Sequence, residues 1–508
     1  MNLLKWTAAL CCLAAAAVAS AKPGPIVQIQ SGRIEGMQQH NVDAFLGIPY
    51  AKAPLGDLRW QRPLTAVAWR GIKKAVAFGP SCMQAPAATP GVTLPGNYSE
   101  DCLTLNVWRP SHSKGPAPVM VWFHGGGLVN GGSAAPQYDG SAFARAGVMF
   151  VSINYRLGRL GFFAHPAMDG NMFVGNFGYT DQIKALRWVQ DNIIQFGGNP
   201  RNITLFGDEA GGYAVHALLS SRFGRDLFQK AIIQSGNGRY SPAGAQSWEQ
   251  AKAAGMAFSQ RQQINGSDKI ALQALRKLPA NVITGDLNLQ TLAKNRLTYS
   301  GPMIDGQVVE KSPQDAYRKG DFARVPLLIG TDGRMAGNRM TPAPITTDRQ
   351  TLLAQFAADS TAASRAYGAI EDDHTLAQRI ALQKTQLEPT RFVARTFANR
   401  QTPVWQYRFA YQPEHLATNS LGALPFIFNT LPSVSKQVSE HDQQLAHMLL
   451  QYWVNFAKNG DPNGDTLPTW QPYNSAKDNI LSINRLGVTA MQTDPQQAQL
   501  DLIEKRQP

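Results

Sequence analysis

A glutamate stands at the centre of a glycine-rich segment whose residue types could present a nucleophile. The segment is Gly207-Asp208-Glu209-Ala210-Gly211, and an apolar run ends just before it at Phe206. Small residues around one central position allow a sharp turn from a strand into a helix, the nucleophile elbow of pattern G-x-S-x-G. Because the central residue is Glu209, the segment predicts the elbow geometry without the usual serine hydroxyl.

A second glycine-rich segment could bind negative charge beside this elbow. It reads His124-Gly-Gly-Gly127 and follows an apolar run. We predict that the N–H groups of Gly126, Gly127 and Ala210 form an oxyanion hole, in which one donor contributes about 3–4 kcal/mol to acyl transfer. Glutamate side chains are ionised at neutral pH, and a helix N-terminus favours the anion. We therefore expect the carboxylate of Glu209 to turn towards these N–H groups and plug the hole.

A mostly parallel sheet is needed to position both segments. Apolar runs and helical patterns alternate along the chain, which predicts an α/β fold with helices on both faces of the sheet. Sites in such folds lie beyond the carboxyl ends of the strands. Residues 247–294 and 346–400 have helical spacing, which predicts helical insertions packed over the site. The predicted strands are 118–123, 148–153, 202–206, 230–234 and 325–329, and the predicted helices between them are 181–195 and 212–220.

The first 21 residues have the pattern of a secretory signal peptide. A single Lys5 precedes an apolar run at 7–17, and small residues at 19–21 form an A-x-A cleavage pattern. The run is shorter than the ~20 residues that span a bilayer, so a membrane anchor is the weaker interpretation. We expect a mature chain of one domain, residues 22–508, secreted or periplasmic and without a transmembrane segment.

Cysteine content and net charge limit the cellular compartment, the cofactors and the partners that the protein can have. Cys11 and Cys12 leave with the signal, whereas Cys82 and Cys102 remain in an oxidising compartment and are expected to pair. A disulfide closing a loop of that size contributes about 3 kcal/mol in the chain-entropy model. We expect neither metal nor cofactor. The net charge of +13 permits contact with anionic surfaces such as lipid head groups. The basic residues are scattered, which favours an ordinary solvated surface and argues against a nucleic-acid partner.

With more distant blocks, the two glycine-rich segments resemble the type-B carboxylesterase family, which includes cholinesterases, para-nitrobenzyl esterases and non-catalytic neuroligins. The resemblance runs from about Pro25 to Pro472 and implies an α/β-hydrolase fold. It also makes the Cys82–Cys102 pair similar to the first disulfide of that family. The blocks that carry it include 45–51 (Phe-Leu-Gly-Ile-Pro-Tyr-Ala), 100–107 (Glu-Asp-Cys-Leu-Thr-Leu-Asn-Val), 154–158, 160–162, 175–178, 185–188, 196–198, 234–236, 301–302, 305–306, 424–426 and 453–457.

The resemblance places all three catalytic positions on unsuitable residues. The serine falls on Glu209, the acid of the block G-T-N-x-D-E-G falls on Met335, and the histidine of H-G-x-E-L-P falls on Ser420. A serine esterase needs a hydroxyl, an imidazole and a carboxylate, and this set supplies none of them in its place. We therefore predict a degenerate triad with little or no serine-esterase activity. Asp332 is the alternative acid if the second block is shifted in register.

Two other interpretations are open. The chain could be a carboxylic ester hydrolase with a rearranged site, in which Glu209 is the nucleophile and His415, five residues before Ser420, activates water. It could instead be a purely structural surface protein, but that does not explain the glycine loop. His124 and His216 fit a loop and a packed helix better than a base. The expected partner is a small-molecule ester or another ligand of the remaining pocket.

Overall fold

The structure is a computed structural model that describes residues 24–86, 94, 97–113, 115–239, 246–332, 348–368, 370, 372–413 and 422–507. Within those ranges, twenty strands occur in chain order. They are β1 (Ile26–Ile29), β2 (Gly32–Glu35), β3 (Met37–Gln39), β4 (Val42–Pro49), β5 (Ile72–Lys74), β6 (Ser81–Cys82), β7 (Tyr98–Ser99), β8 (Thr104–Pro110), β9 (Ala117–Phe123), β10 (Met149–Ile153), β11 (Phe162–Phe163), β12 (Gly175–Asn176), β13 (Gly198–Asp208), β14 (Lys230–Gln234), β15 (Gln246–Ser247), β16 (Met303–Ile304), β17 (Leu327–Asp332), β18 (Val404–Phe409), β19 (Asn479–Ile483) and β20 (Thr489–Thr493).

Fifteen α-helices connect and cover these strands in the same described ranges. They are α1 (Ser141–Arg145), α2 (Gly158–Gly161), α3 (Phe177–Asn192), α4 (Ala210–Ser220), α5 (Trp248–Arg261), α6 (Lys269–Lys277), α7 (Ala280–Thr284), α8 (Pro313–Lys319), α9 (Arg349–Ala354), α10 (Ser360–Tyr367), α11 (Asp373–Leu382), α12 (Glu388–Asn399), α13 (Leu424–Ile427), α14 (Glu440–Asn459) and α15 (Gln497–Glu504).

An eleven-stranded sheet forms the centre of the fold. Its order is β20-β19-β18-β17-β14-β13-β9-β10-β8-β4-β3. The run from β19 to β10 is parallel throughout, and the pairs at both edges are antiparallel. The prediction of a mostly parallel sheet is confirmed. The antiparallel edges were not predicted.

Side chains of the central strands alternate between two cores. In β9, Val119, Val121 and Phe123 pack on the face that α3, α4 and α12 cover. Met120 and Trp122 point to the other face, which α1, α13 and α14 cover. Strands buried on both faces are expected to be almost continuously apolar, as these are. Both ends of the strands are therefore held in place, and the loops at their carboxyl ends start from rigid elements.

The predicted element boundaries shift by a few residues. The strand expected at 202–206 runs over Gly198–Asp208, and the helix expected at 181–195 runs over Phe177–Asn192. The helix expected at 212–220 begins two residues earlier, at Ala210, because the turn at Glu209 leads directly into it. The strand at Lys230–Gln234 has the predicted boundaries.

Two groups of inserted helices pack outside the sheet. Helices α5 to α7 form a small apolar core with Trp60 and Leu160, and α9 to α11 form another with the C-terminal helix α15. The predicted disulfide is present and joins Cys82 to Cys102. No helix among the residues that the structure describes combines the length and the apolar character needed to cross a membrane.

Candidate active site

The turn between β13 and α4 has the conformation of an elbow. Glu209 has φ 50° and ψ −112°, a backbone conformation that is costly for a residue with a side chain. Its N–H donates to the carbonyl of Gln234 at 2.8 Å, and its carbonyl accepts from the N–H of Tyr213 at 3.0 Å. Strand β14 and helix α4 therefore hold the strained residue from both sides.

Backbone crowding explains why glycines flank this residue. A Cβ on Gly211 would lie 2.0 Å from the carbonyl oxygen of Phe123, at the end of β9. A Cβ on Gly207 would lie 2.4 Å from the backbone of Gly211. Backbone atoms cannot yield as a flexible side chain does, so both positions need glycine. The elbow is thus pressed against the strand that leads into the glycine loop.

The glycine loop wraps back on itself. Gly126 has φ +112° and Gly127 has φ +62°, values that favour glycine. A Cβ on Gly126 would lie 2.2 Å from the carbonyl oxygen of Asn130. The side chain of Leu289, which follows α7, would meet a Cβ on Gly127 at 2.6 Å. The predicted helical insertion therefore contacts the site at this loop.

The carboxylate of Glu209 reaches the glycine loop. Its Oε2 accepts a hydrogen bond from the N–H of Gly126 at 2.8 Å, which is one of the three donors of the predicted oxyanion hole. The contribution of Gly127 and Ala210 to that hole stays a prediction. A Cβ on Gly125 would lie 2.9 Å from Oε2 of Glu209, so this glycine also leaves room for the carboxylate. The side chain at the elbow position thus lies against the backbone that an oxyanion hole would use.

His124 begins the glycine loop, and its side chain packs inside the protein. It is buried and stacks on the ring of Tyr155 at 4.4 Å. Its Nδ1–H donates to the carbonyl of Gly125, and the hydroxyl of Tyr155 donates to the carbonyl of His124 at 2.6 Å. Burial lowers the pKa of His124 to about 4, so it is neutral at pH 7. These contacts assign His124 to loop packing.

His216 is a buried brace of the elbow helix. Its Nε2–H donates to the carbonyl of Gly236, and its Nδ1 accepts from the hydroxyl of Tyr317. Burial lowers its pKa to about 4, and the bond to Gly236 opposes that shift. Both ring nitrogens are therefore occupied, which agrees with the prediction that His216 packs.

Asp332 ends strand β17 and holds the start of α13. Its Oδ1 accepts from the N–H of Ala423 at 3.2 Å, and its own N–H donates to the hydroxyl of Ser235 at 3.3 Å. A Cβ on Gly422 would lie 1.7 Å from Oδ2, so this carboxylate packs directly on the backbone before the helix. Asp332 is thus brought close to the block in which the sequence places the histidine position.

Comparisons with known proteins identify the family. A sequence model described as "Carboxylesterase family" matches residues 23–503 of this chain. The chain belongs to the carboxylesterase family. Its solved likenesses include a PNB esterase, with a TM-score of 0.82 and 29% identity over 95% of this chain and 99% of that chain. A Geobacillus stearothermophilus carboxylesterase has a TM-score of 0.80 and 31% identity over 94% of this chain and 99% of that chain. The predicted α/β-hydrolase fold is confirmed.

Curated relatives of this carboxylesterase-family chain include esterases. Fumonisin B1 esterase from Sphingopyxis macrogoltabida is 35% identical over 477 residues, which cover 88% of this chain and 84% of the relative. Para-nitrobenzyl esterase from Bacillus subtilis (strain 168) is 31% identical over 511 residues, which cover 95% and 98%. The likeness therefore extends over nearly the full length of both proteins.

Three predicted positions lie outside the described residues. These are Met335 and Ser420, at the acid and histidine positions, and His415, the substitute base. Their assignment to this carboxylesterase-family site stays a prediction. Among the residues that the structure does describe, no group of three His, Cys, Asp or Glu side chains could hold a metal ion.

Three contributors to the site were missed at the sequence level. Tyr155 holds the glycine loop by a hydrogen bond to the carbonyl of His124, and the side chain of Leu289 covers the loop. The backbone of Asn130 packs against Gly126 where the loop turns back, although Asn130 belongs to no predicted motif. Tyr155 lies in a block that the family resemblance already included, so its position was a usable signal. Leu289 lies in an irregular segment, and nothing in the local sequence indicated its contact.

Proposed function

We propose that this carboxylesterase-family protein has little or no serine-esterase activity and binds a small-molecule ester or a related ligand in its residual pocket. One contact carries the proposal. Glu209, at the elbow, places a carboxylate oxygen 2.8 Å from the N–H of Gly126. A tetrahedral oxyanion would need that donor and would be repelled by the carboxylate.

The chemistry of the three catalytic positions supports the same proposal. Glu209 has no hydroxyl, and neither Met335 nor Ser420 could accept or orient a proton as the family triad requires. The described histidines nearest in sequence to the two glycine segments, His124 and His216, are buried and engaged with backbone. The proposal also includes secretion to the periplasm or medium after cleavage near Ala21.

A second candidate keeps ester hydrolysis, because the elbow presents Glu209 in the strained conformation suited to a nucleophile. The carboxylate would attack the acyl carbon, the alkoxide would leave as the alcohol after protonation, and a mixed anhydride would form on Glu209. Water would then cleave that anhydride and restore the carboxylate. This candidate needs a base, for which His415 is the proposed source.

Hydrolysis of para-nitrophenyl acetate and butyrate separates the two candidates. The wild type, Glu209→Gln and Glu209→Ser are compared as purified proteins, with the release of para-nitrophenol followed by absorbance. We expect no turnover above background in the wild type and in Glu209→Gln. Turnover in the wild type that disappears in Glu209→Gln overturns the first candidate and supports the second.

The Glu209→Ser variant tests the residual pocket itself. If the N–H groups of Gly126 and Ala210 still act as an oxyanion hole, the introduced hydroxyl is acylated slowly by the activated ester. Without an acid and a histidine, the acyl group stays on, and intact-protein mass spectrometry detects a single adduct. Multiple turnover in this variant would show that a working base and acid are present, and it would disprove the degenerate triad.

A further inference from the structure

Asparagine is followed directly by glycine at five places in the chain. The five pairs begin at Asn130, Asn237, Asn265, Asn459 and Asn463. In such a pair the backbone nitrogen of the glycine can attack the side-chain amide of the asparagine, because glycine has no Cβ that obstructs the approach. The attack needs a backbone that can change conformation locally, a side chain that can turn, and an N–H group outside any hydrogen bond. The fold therefore decides which of the five pairs can react.

The pair at Asn130 is held on both sides of the bond that would form. The Asn130 side chain is buried and donates to the carbonyl of Ala85 at 2.9 Å. Its Oδ1 accepts from the N–H of Leu289 at 3.0 Å. The N–H of Gly131 donates to the side chain of Gln84 at 2.9 Å. Neither the amide nor the attacking nitrogen is available here.

Side-chain hydrogen bonds also hold the asparagines at positions 237 and 463. Asn463 donates to the carbonyl of Trp470 at 2.9 Å and accepts from the N–H of the same residue at 2.7 Å. Asn237 forms a side-chain hydrogen bond with the hydroxyl of the buried Tyr213. In both pairs the amide would have to leave its partner before it could turn towards the glycine.

The pair at Asn459 is exposed, but its glycine is engaged. Asn459 is the last residue of α14, and Gly460 caps the helix with φ 78°. The N–H of Gly460 donates to the carbonyl of Phe456 at 2.8 Å. The backbone is thus fixed in a helix cap, and the nitrogen that would attack is already bonded.

The pair at Asn265 lacks all of these restraints. Asn265 and Gly266 are exposed and lie outside helices and strands, in the connection between α5 and α6. Within the described part of the chain, neither the side chain of Asn265 nor the N–H of Gly266 makes a hydrogen bond. Both reacting groups are therefore available without any prior opening of the fold.

We propose that Asn265 is a site of spontaneous covalent modification, at which the folded protein deamidates. The nitrogen of Gly266 loses its proton and forms a bond to Cγ of Asn265, and the amide nitrogen takes up a proton and leaves as ammonia. Water then opens the resulting succinimide ring at either carbonyl, which gives an aspartyl or an isoaspartyl residue. The reaction needs water as its only co-reactant. It is independent of any activity at Glu209.

The modification changes charge and chain length at the start of α6. A carboxylate replaces the neutral amide of Asn265, and the isoaspartyl form adds a methylene group to the main chain. A Cβ on Gly266 would lie 3.3 Å from Oδ1 of Asp268, the residue that caps α6, so the new charge lies close to an existing carboxylate. Leu272 and Leu275 of α6 pack in the small core of the inserted helices. The modification therefore acts on this insertion and not on the main sheet.

Ageing of the purified protein in mildly alkaline buffer tests the assignment. Peptide mass spectrometry follows each pair, and chromatography separates the isoaspartyl from the aspartyl form. The same protein in guanidinium chloride gives the rate of each pair without the fold. We expect Asn265 to react in the folded protein within about threefold of its denatured rate, since an exposed loop opens at little cost. Asn459 should be slowed at least about tenfold, because the N–H of Gly460 must first leave its hydrogen bond. A slowing of Asn265 as large as that of Asn459 would overturn the proposal.

Two matched variants test the same assignment in the whole protein. Asn265→Gln and Asn459→Gln each replace one exposed asparagine by a residue that would have to close a larger ring. Ion-exchange chromatography measures the more acidic form that accumulates on ageing, and circular dichroism checks that each variant is folded. Asn265→Gln should lose most of this acidic form, whereas Asn459→Gln should accumulate it as fast as the wild type. Equal accumulation in Asn265→Gln and the wild type would assign the modification to another residue and reject Asn265.

Discussion

Two carboxylates end parallel strands of the same sheet and do different things. Glu209 follows β13 and accepts from the N–H of Gly126, whereas Asp332 ends β17 and accepts from the N–H of Ala423. Glu209 has a strained backbone with φ 50°, while Asp332 belongs to the strand itself. Both carboxylates accept a hydrogen bond from a backbone N–H group. At Glu209 this bond directs the side chain of a turn towards the glycine loop, and at Asp332 it fixes the start of helix α13.

The packing around the two carboxylates explains which substitutions each region tolerates. The elbow is held by backbone against backbone, with Gly211 against Phe123, and its central side chain lies outside that packing. At Asp332 the side chain itself makes the contact, against Gly422 and Ala423. The elbow can therefore accept a new central residue without losing its shape. This difference accounts for an elbow that keeps its conformation around a central glutamate.

The largest effect is expected from Gly211→Ala. The new Cβ would lie 2.0 Å from the carbonyl oxygen of Phe123, so helix α4 and strand β9 would have to separate. We expect a loss of at least about 3 kcal/mol in the free energy of unfolding, measured by urea denaturation, or failure to fold.

Gly115→Ala is the control for this change, because no atom lies within 4 Å of the added Cβ. Its effect should stay within about 0.5 kcal/mol. If Gly211→Ala were as mild as Gly115→Ala, the elbow would not be fixed by backbone packing, and the contrast with Asp332 would fail.

The second effect is a loss of stability in acid that depends on His216. Its pKa is about 4 in the folded protein and about 6.5 in the unfolded chain. Between these values the unfolded chain binds the proton, so stability falls as the pH drops from 6.5 towards 4. The loss from this group is on the order of 3 kcal/mol.

His216→Gln lacks this titration and should lose correspondingly less stability between pH 7 and pH 4, although it is less stable than the wild type at pH 7. Urea denaturation of both proteins at a series of pH values gives the two slopes. His124, with a pKa of about 4, titrates in both proteins and cancels in the difference. Parallel slopes would show that His216 is not held neutral by the elbow helix.

The third effect concerns Asp332, whose carboxylate accepts a hydrogen bond at the start of α13. Asp332→Ala leaves the N–H of Ala423 without its acceptor at the start of a buried helix. We expect a loss of about 1–3 kcal/mol in urea denaturation. Asp332→Asn keeps an acceptor oxygen and should lose less. A full loss in both variants would mean that the charge of Asp332, and not its hydrogen bond, holds α13.

The sequence was informative where the local residue types determine the conformation of the backbone. Backbone crowding requires glycine at Gly207 and Gly211, and the spacing of these two glycines made the elbow predictable although its central residue is a glutamate. The contact between Glu209 and Gly126 was also predictable, since a helix N-terminus and a glycine loop both attract an anion. The parallel strands followed from their apolar runs.

Long-range contacts were not predictable in this way. Asp332 reaches Ala423 across 91 residues, and Leu289 reaches the glycine loop from an irregular segment. Neither has a periodicity or a spacing that a local pattern could detect. The antiparallel direction of the edge strands was missed for a related reason, since the direction of a strand depends on the path of the chain and not on its local residue pattern.

The smallest effect is expected from Glu209→Gln. The amide oxygen can still accept from the N–H of Gly126, but a hydrogen bond to a neutral group is weaker than one to a carboxylate by about 1 kcal/mol. Because the elbow is fixed by its glycines, no further loss should follow, and urea denaturation should show a change of about 1 kcal/mol or less. Asp332→Asn makes the same chemical change at the start of α13 and is the matched comparison. A loss above about 2 kcal/mol in Glu209→Gln alone would mean that the elbow depends on its central carboxylate for stability, and the glutamate would then be a structural requirement of this chain.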